Sequence, residues 1–128
     1  MAEPTIIPGF QMRREGEPTS ATGASFEVHE WQGSGPPYMH VHHADDEAWY
    51  ILDGTLTFKF VDREVDAPAG TTVFVPAGVA HTYYEKSGPT RYLIILTPRL
   101  TALISTLHQT PFAEHSDVSR RFDTETVS

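Results

Sequence analysis

Between residues 25 and 97 the chain is broken by turn signals so often that only short runs of side chains fit between them. The runs are 25–31, 38–42, 48–52, 55–61, 64–67, 71–75, 81–85 and 91–97, and the breaks include Gly33-Ser34-Gly35-Pro36-Pro37, Pro68-Ala69-Gly70, Pro76-Ala77-Gly78 and Ser87-Gly88-Pro89. Proline removes a ladder donor and glycine weakens a regular element, so each break ends an element. Runs of four to seven residues are too short for stable helices but ordinary for strands. The spacing predicts an all-β domain, an antiparallel sandwich or barrel. Run 55–61 shows the alternation best, with Leu56, Phe58 and Phe60 on one face and Thr57 and Lys59 on the other. Asp53-Gly54, between two apolar runs, predicts a type I′ hairpin turn.

The period changes after Thr97. Leu100, Leu103, Ile104 and Leu107 form one stripe of a short helix, with Thr97 as its N-cap and Pro98 in its first position. The stripe suits packing on the barrel, packing across a dimer, or a lid. The expected organisation is an extended arm over 1–24, the barrel over 25–97, and a short helix with a polar tail over 98–128 laid on the barrel or on a dimer partner. A chain of 128 residues is one domain with one core.

Composition removes several function classes. The absence of cysteine excludes a disulfide framework, Cys-ligated zinc and a thiol nucleophile. Nine basic against seventeen acidic residues give a formal charge of −8, which argues against nucleic acid and anionic membrane as partners. No apolar run approaches the ~20 residues of a membrane span, and the first residues lack the pattern of a secretory signal. The expectations are a cytoplasmic protein, a small-molecule substrate or ligand, and a homodimer in which the arm covers an open strand edge.

Three of the seven histidines fall at positions 40, 42 and 43. On a strand His40 and His42 share a face with Tyr38, whereas His43 points outward. Glu47 opens the next run, close enough in a hairpin for its carboxylate to approach the imidazoles, and His81 opens a later one. Three imidazoles and one carboxylate suit a single divalent transition metal ion (Fe, Mn, Ni, Co or Zn) rather than calcium. Open positions on such an ion would accept a chelating oxygen ligand, such as an enolate, a catecholate or a hydroxy acid. Asp45 and Asp46 read as solvated turn residues. His29, His108 and His115 lie outside this pattern.

The run from Gly35 through His40, His42 and Glu47 to Gly54 resembles the first motif of the cupins, G-x5-H-x-H-x3,4-E-x6-G, with one residue fewer between Gly35 and His40. The run Gly70, Pro76, Gly78, His81, Glu85 resembles the second, G-x5-P-x-G-x2-H-x3-N, with Glu85 in place of the terminal asparagine. The resemblance covers about residues 35–85. It implies a double-stranded β-helix, or jelly roll, with a metal held by His40, His42, Glu47 and His81. Proteins of this look include dioxygenases, isomerases, lyases and non-catalytic binders, and the leading expectation is dioxygenase-like oxidoreductase chemistry on a chelating substrate. Tyr83 and Glu85, sharing His81's face, are the candidates for proton movement. Tyr38, Trp49 and Phe58 are the candidate pocket residues.

Overall fold

The computed structural model describes residues 5, 6, 18 and 20–127. The strands are β1 (Ser20–Thr22), β2 (Glu27–Trp31), β3 (Met39–His42), β4 (Glu47–Asp53), β5 (Thr55–Lys59), β6 (Glu64–Pro68), β7 (Thr72–Val75), β8 (Thr82–Glu85), β9 (Arg91–Leu96) and β10 (Thr124–Val127). Helix α1 (Pro98–His108), a 3₁₀ turn (Phe112–Glu114) and α2 (His115–Arg120) lie between β9 and β10. Each of the eight runs marked out by turn signals carries one strand.

Two antiparallel sheets face each other. One has the order β1-β2-β9-β4-β7. The other joins β6-β5-β8 to β10-β3 through a single bridge, His40 to His81, in which each backbone N–H donates to the other residue's carbonyl at 3.0 and 2.9 Å. Trp49, Ile51, Leu56, Phe58, Tyr92, Ile94 and Leu96 fill the space between the sheets. Along β4 and β9, Trp49, Ile51, Tyr92, Ile94 and Leu96 are separated by exposed or half-buried positions, as a jelly roll requires, whereas on β5 Thr57 between Leu56 and Phe58 is buried as well.

The turn at Asp53-Gly54 is not a hairpin. β4 pairs with β7 and β9, and β5 pairs with β6 and β8, so the chain crosses there from one sheet to the other. Type I′ geometry needs two left-handed residues, and here only Gly54 has positive φ (79°). A Cβ on Gly54 would also lie 2.5 Å from the Pro89 carbonyl oxygen. This glycine therefore serves a close crossing of two loops. For the same reason β3 and β4 form no hairpin, and Glu47 reaches the imidazoles across the barrel interior.

Thr97 caps α1 by accepting from the Leu100 N–H at 3.3 Å, and Leu100 and Leu103 are buried against the barrel of the same chain. Beyond Pro111 the tail forms α2 and then β10, which pairs antiparallel with β3. In the N-terminal arm, Ser20–Thr22 pairs with β2 of the same chain. The expected cover of a dimer edge by the rest of the arm lies mostly outside the described residues. Among the described residues no helix is long and apolar enough to cross a membrane.

Candidate metal centre

Four side chains meet inside the barrel. His40 and His42 project inward from β3, Glu47 from the first position of β4, and His81 from the residue before β8. All four are buried, and one donor atom from each lies within 4.8 Å of the others. The backbone bridge between His40 and His81 holds two of the imidazoles side by side, with ring centroids 4.4 Å apart. The geometry expected from the two histidine segments is thus produced by strand pairing.

The outward nitrogens of the imidazoles each meet an oxygen. His81 Nδ1 donates to the Val79 carbonyl at 2.9 Å, and His42 Nδ1 lies 2.7 Å from Thr124 Oγ1. His40 Nδ1 has a longer contact, 3.5 Å, to the Tyr38 carbonyl. On the inner side, the Nε2 atoms of His42 and His81 both lie 3.0 Å from Glu47 Oε1. Two ligands held about 2.1 Å from one ion at a right angle are about 3 Å apart, so these separations fit a shared cation. Imidazoles anchored through Nδ1 with Nε2 directed inward are the usual presentation of histidine to a metal.

The electrostatics favour the ligand forms. Burial, reinforced by neighbouring His81 and His42, pushes His40 from 6.5 down to about 3, so its ring is neutral at physiological pH. Burial alone would raise Glu47, but hydrogen bonds from His42 and His81 outweigh it and hold the carboxyl at about 2. The centre thus presents a neutral imidazole at His40 and an ionised oxygen donor at Glu47 together. That donor set suits a borderline or hard divalent transition ion.

A cavity of about 880 Å³, partly open to solvent, reaches His40, His42 and Glu47. One wall is the barrel, with Tyr38, Tyr83 and Tyr92. The other comes from residues after the barrel, where Leu103, Ile104 and Leu107 of α1 present an apolar surface beside His115 and Thr124. The phenols are held protonated. Burial is the largest influence on Tyr83, raising it to about 12, and it also raises Tyr38 and Tyr92. The Tyr92 hydroxyl donates to the Gly33 carbonyl at 3.0 Å and faces the Tyr83 hydroxyl at 3.3 Å. A Cβ on Gly35 would lie 2.7 Å from the Tyr83 ring, so the absence of a side chain at 35 is what lets the phenol occupy its place.

Other sequence-based assignments need correction. Glu85 does not line the cavity. Its Oε2 accepts from the backbone N–H and hydroxyl of Thr90, both at 2.8 Å, so the carboxylate secures the loop before β9. Trp49 and Phe58 do face inward, but both are fully buried and absent from the cavity wall. Trp49 packs edge-on against Phe58, Tyr83 and His81, forming a floor behind the metal ligands. Tyr38 does line the cavity, its hydroxyl 2.9 Å from His115 Nδ1. His43 lies at the surface with Nε2 3.3 Å from Glu125. Asp46 accepts from the Ala77 N–H, and buried Asp45 accepts from the Thr97 hydroxyl beside the Arg99 guanidinium. Asp45 is therefore a clamp on the start of α1 rather than a solvated turn residue.

Several cavity residues carried no motif. Glu30 and Arg91 line the cavity and form an ion pair at 2.8 Å. Arg91 Nη2 is buried and has no hydrogen-bond partner among the described residues. His115 and Thr124 lie in the tail, which has no periodicity to mark it.

The model of the family described as "Cupin domain" matches residues 25–96. A curated relative, an uncharacterized protein of Streptomyces coelicolor, is 32% identical over 56 residues, 44% of this chain and 53% of that protein. The chain thus spans about half the length of the curated relative it matches. Among solved structures, a cupin-2 domain containing protein of Shewanella frigidimarina superposes with a TM-score of 0.54 at 24% identity, over 66% of this chain and 83% of that one. A cupin superfamily protein of Desulfitobacterium hafniense gives 0.53 at 20% identity, over 76% and 94%. A sugar phosphate isomerase of a cupin superfamily from Silicibacter pomeroyi gives 0.52 at 23% identity, over 57% and 50%.

Proposed function

This chain belongs to the cupin family, and from that premise we propose that it is a metal-dependent enzyme acting on a small, oxygen-bearing molecule with an apolar body. The observation that carries the proposal is a cluster of three imidazoles and one carboxylate, of which His40, His42 and Glu47 line the inner end of a cavity of about 880 Å³ whose outer wall is apolar. His40, His42, Glu47 and His81 would hold one divalent transition ion. Such an ion supplies Lewis acidity and, when redox-active, access to dioxygen chemistry. The preferred reading is the dioxygenase-like one, with two substrate oxygens directed at the metal centre.

The chain's own groups divide the remaining work. Tyr83, protonated and directed into the cavity, donates a hydrogen bond to a substrate oxygen and orients it. Tyr38, steadied by His115, offers a second phenol on the same wall. Leu103, Ile104 and Leu107 take the apolar body and exclude water, which strengthens each polar contact at the inner end. Nη2 of Arg91, without a hydrogen-bond partner among the described residues, offers a donor to a further substrate oxygen. Glu85, occupied by Thr90, takes no part.

The test is oxygen uptake by iron-reconstituted protein with catechols, flavonols and β-diketones. Consumption of dioxygen in step with substrate supports the reading. The second reading is metal-dependent isomerisation or lyase chemistry, which the same protonated phenols beside a metal centre would serve. Substrate conversion without oxygen uptake would favour it. Tight binding of these compounds with neither oxygen uptake nor conversion would identify a non-catalytic binder.

A further inference from the structure

β10 lies outside the matched region 25–96, yet it reaches the metal centre. Its register against β3 places Thr124 opposite His42 and Thr126 opposite His40. Thr124 is almost fully buried, and its Oγ1 is 2.7 Å from His42 Nδ1. The same hydroxyl donates to the Phe122 carbonyl at 3.3 Å. A hydroxyl has one proton, so with that proton on Phe122 the oxygen can only accept from His42. Without a metal Nε2 of His42 donates to Glu47; with an ion in place of that proton, Nδ1 carries the remaining ring proton to Thr124 and Nε2 offers its lone pair to the centre.

The contact is built into the fold. Asp123 turns the chain with φ of 56°, and its carbonyl accepts from the His43 N–H at 2.9 Å. Arg99, near the start of α1, lies between Asp45 and Asp123 at 3.3 and 3.6 Å. Helix α1, the turn at Asp123 and β10 thus form one bracket around Thr124. Val79 supplies the matching acceptor for His81 from within the barrel. For His42 the barrel supplies no such acceptor, and the tail does.

We propose that Thr124 is a positioning residue of the metal centre, which fixes the ring tautomer and orientation of His42, and that the segment after the barrel is for that reason part of the site. The proposal rests on the metal-centre reading above. Partners of this kind change metal affinity by roughly 10–100-fold when removed.

The test uses the full chain with Thr124→Val, Thr124→Ser and, as a control on the same strand, Glu125→Gln, each titrated with Co²⁺ and followed by visible absorption with chelator competition. Thr124→Val should weaken Co²⁺ binding roughly 10–100-fold, Thr124→Ser should restore it to within a few-fold, and Glu125→Gln should bind like the unsubstituted protein. Nitrogen-detected NMR of the unsubstituted protein loaded with Zn²⁺ should show His42 protonated at Nδ1 and unprotonated at Nε2, a readout that needs no variant to fold. Equal affinity in Thr124→Val, an equal loss in Glu125→Gln, or a proton on Nε2 of His42 would overturn the proposal. Failure of the unsubstituted protein to bind Co²⁺ would instead overturn the metal-centre reading, and the proposal with it.

Discussion

The two walls of the cavity are built in different ways. On the barrel side the donors are restrained by backbone pairing and by contacts of their side chains. His81, for example, is bridged to His40 through its backbone and to Val79 and Glu47 through its ring. On the helical side Leu103, Ile104 and Leu107 contribute only apolar surface. Hydrogen-bonded donors on strands hold a specific geometry, whereas apolar contact is non-directional and sets no orientation for what it covers. Metal geometry should therefore respond to the first wall, and stability and ligand shape to the second.

The largest separation between the walls should come from Glu47→Gln, which keeps the side chain's size and removes the charge that both imidazoles face. Metal retention after dialysis, measured by elemental analysis, should be lost, an effect larger than the ~10–100-fold expected for an outer partner. Leu100→Ala on the helical side should cost about 2–5 kcal/mol in chemical denaturation, the usual range for a fully buried leucine. It should leave metal affinity within a few-fold. Collapse of metal binding in Leu100→Ala would show the walls to be one mechanical unit.

Acid should act through the barrel wall. His40 is held at about 3 against an ordinary 6.5, so the folded chain resists a proton that the unfolded chain accepts. Stability of the metal-stripped protein should fall as pH drops through 6.5, by about 1.4 kcal/mol per pH unit once well below it. Glu47, held at about 2 against 4.5, contributes stability above pH 4.5 that is lost as pH falls toward 2, in the same direction. Urea midpoints at pH 7 and pH 5.5 test this, and an equal or higher midpoint at pH 5.5 would contradict it. The smallest effect belongs to Glu85→Gln, which keeps an acceptor for Thr90. It should leave metal affinity and turnover unchanged in the same assays that detect Glu47→Gln.

The division between the walls also governs what could be read from the sequence. His40, His42, Glu47 and His81 were legible because strand alternation and two spaced motifs fix where each side chain points. The turn signals marked the eight barrel strands for the same local reason. Asp53-Gly54 announced a reversal, but nothing local to it says which sheet receives the next strand. Glu85 was misread because alternation stops predicting direction at a strand end, where the loop to Thr90 takes the carboxylate. Trp49 and Phe58 have the predicted face, yet their depth depends on what stands in front of them. Thr124 was hidden altogether. Its role arises from a contact 82 residues away in sequence, and a strand reading Thr-Glu-Thr-Val has too little apolar character to announce itself.

The most direct test of the central claim is X-ray absorption spectroscopy of zinc- or cobalt-loaded protein with the metal content counted per chain. The account predicts one ion per chain with three imidazoles and at least one oxygen in its inner sphere. An ion bound substoichiometrically, or one with fewer than two imidazoles, would contradict it.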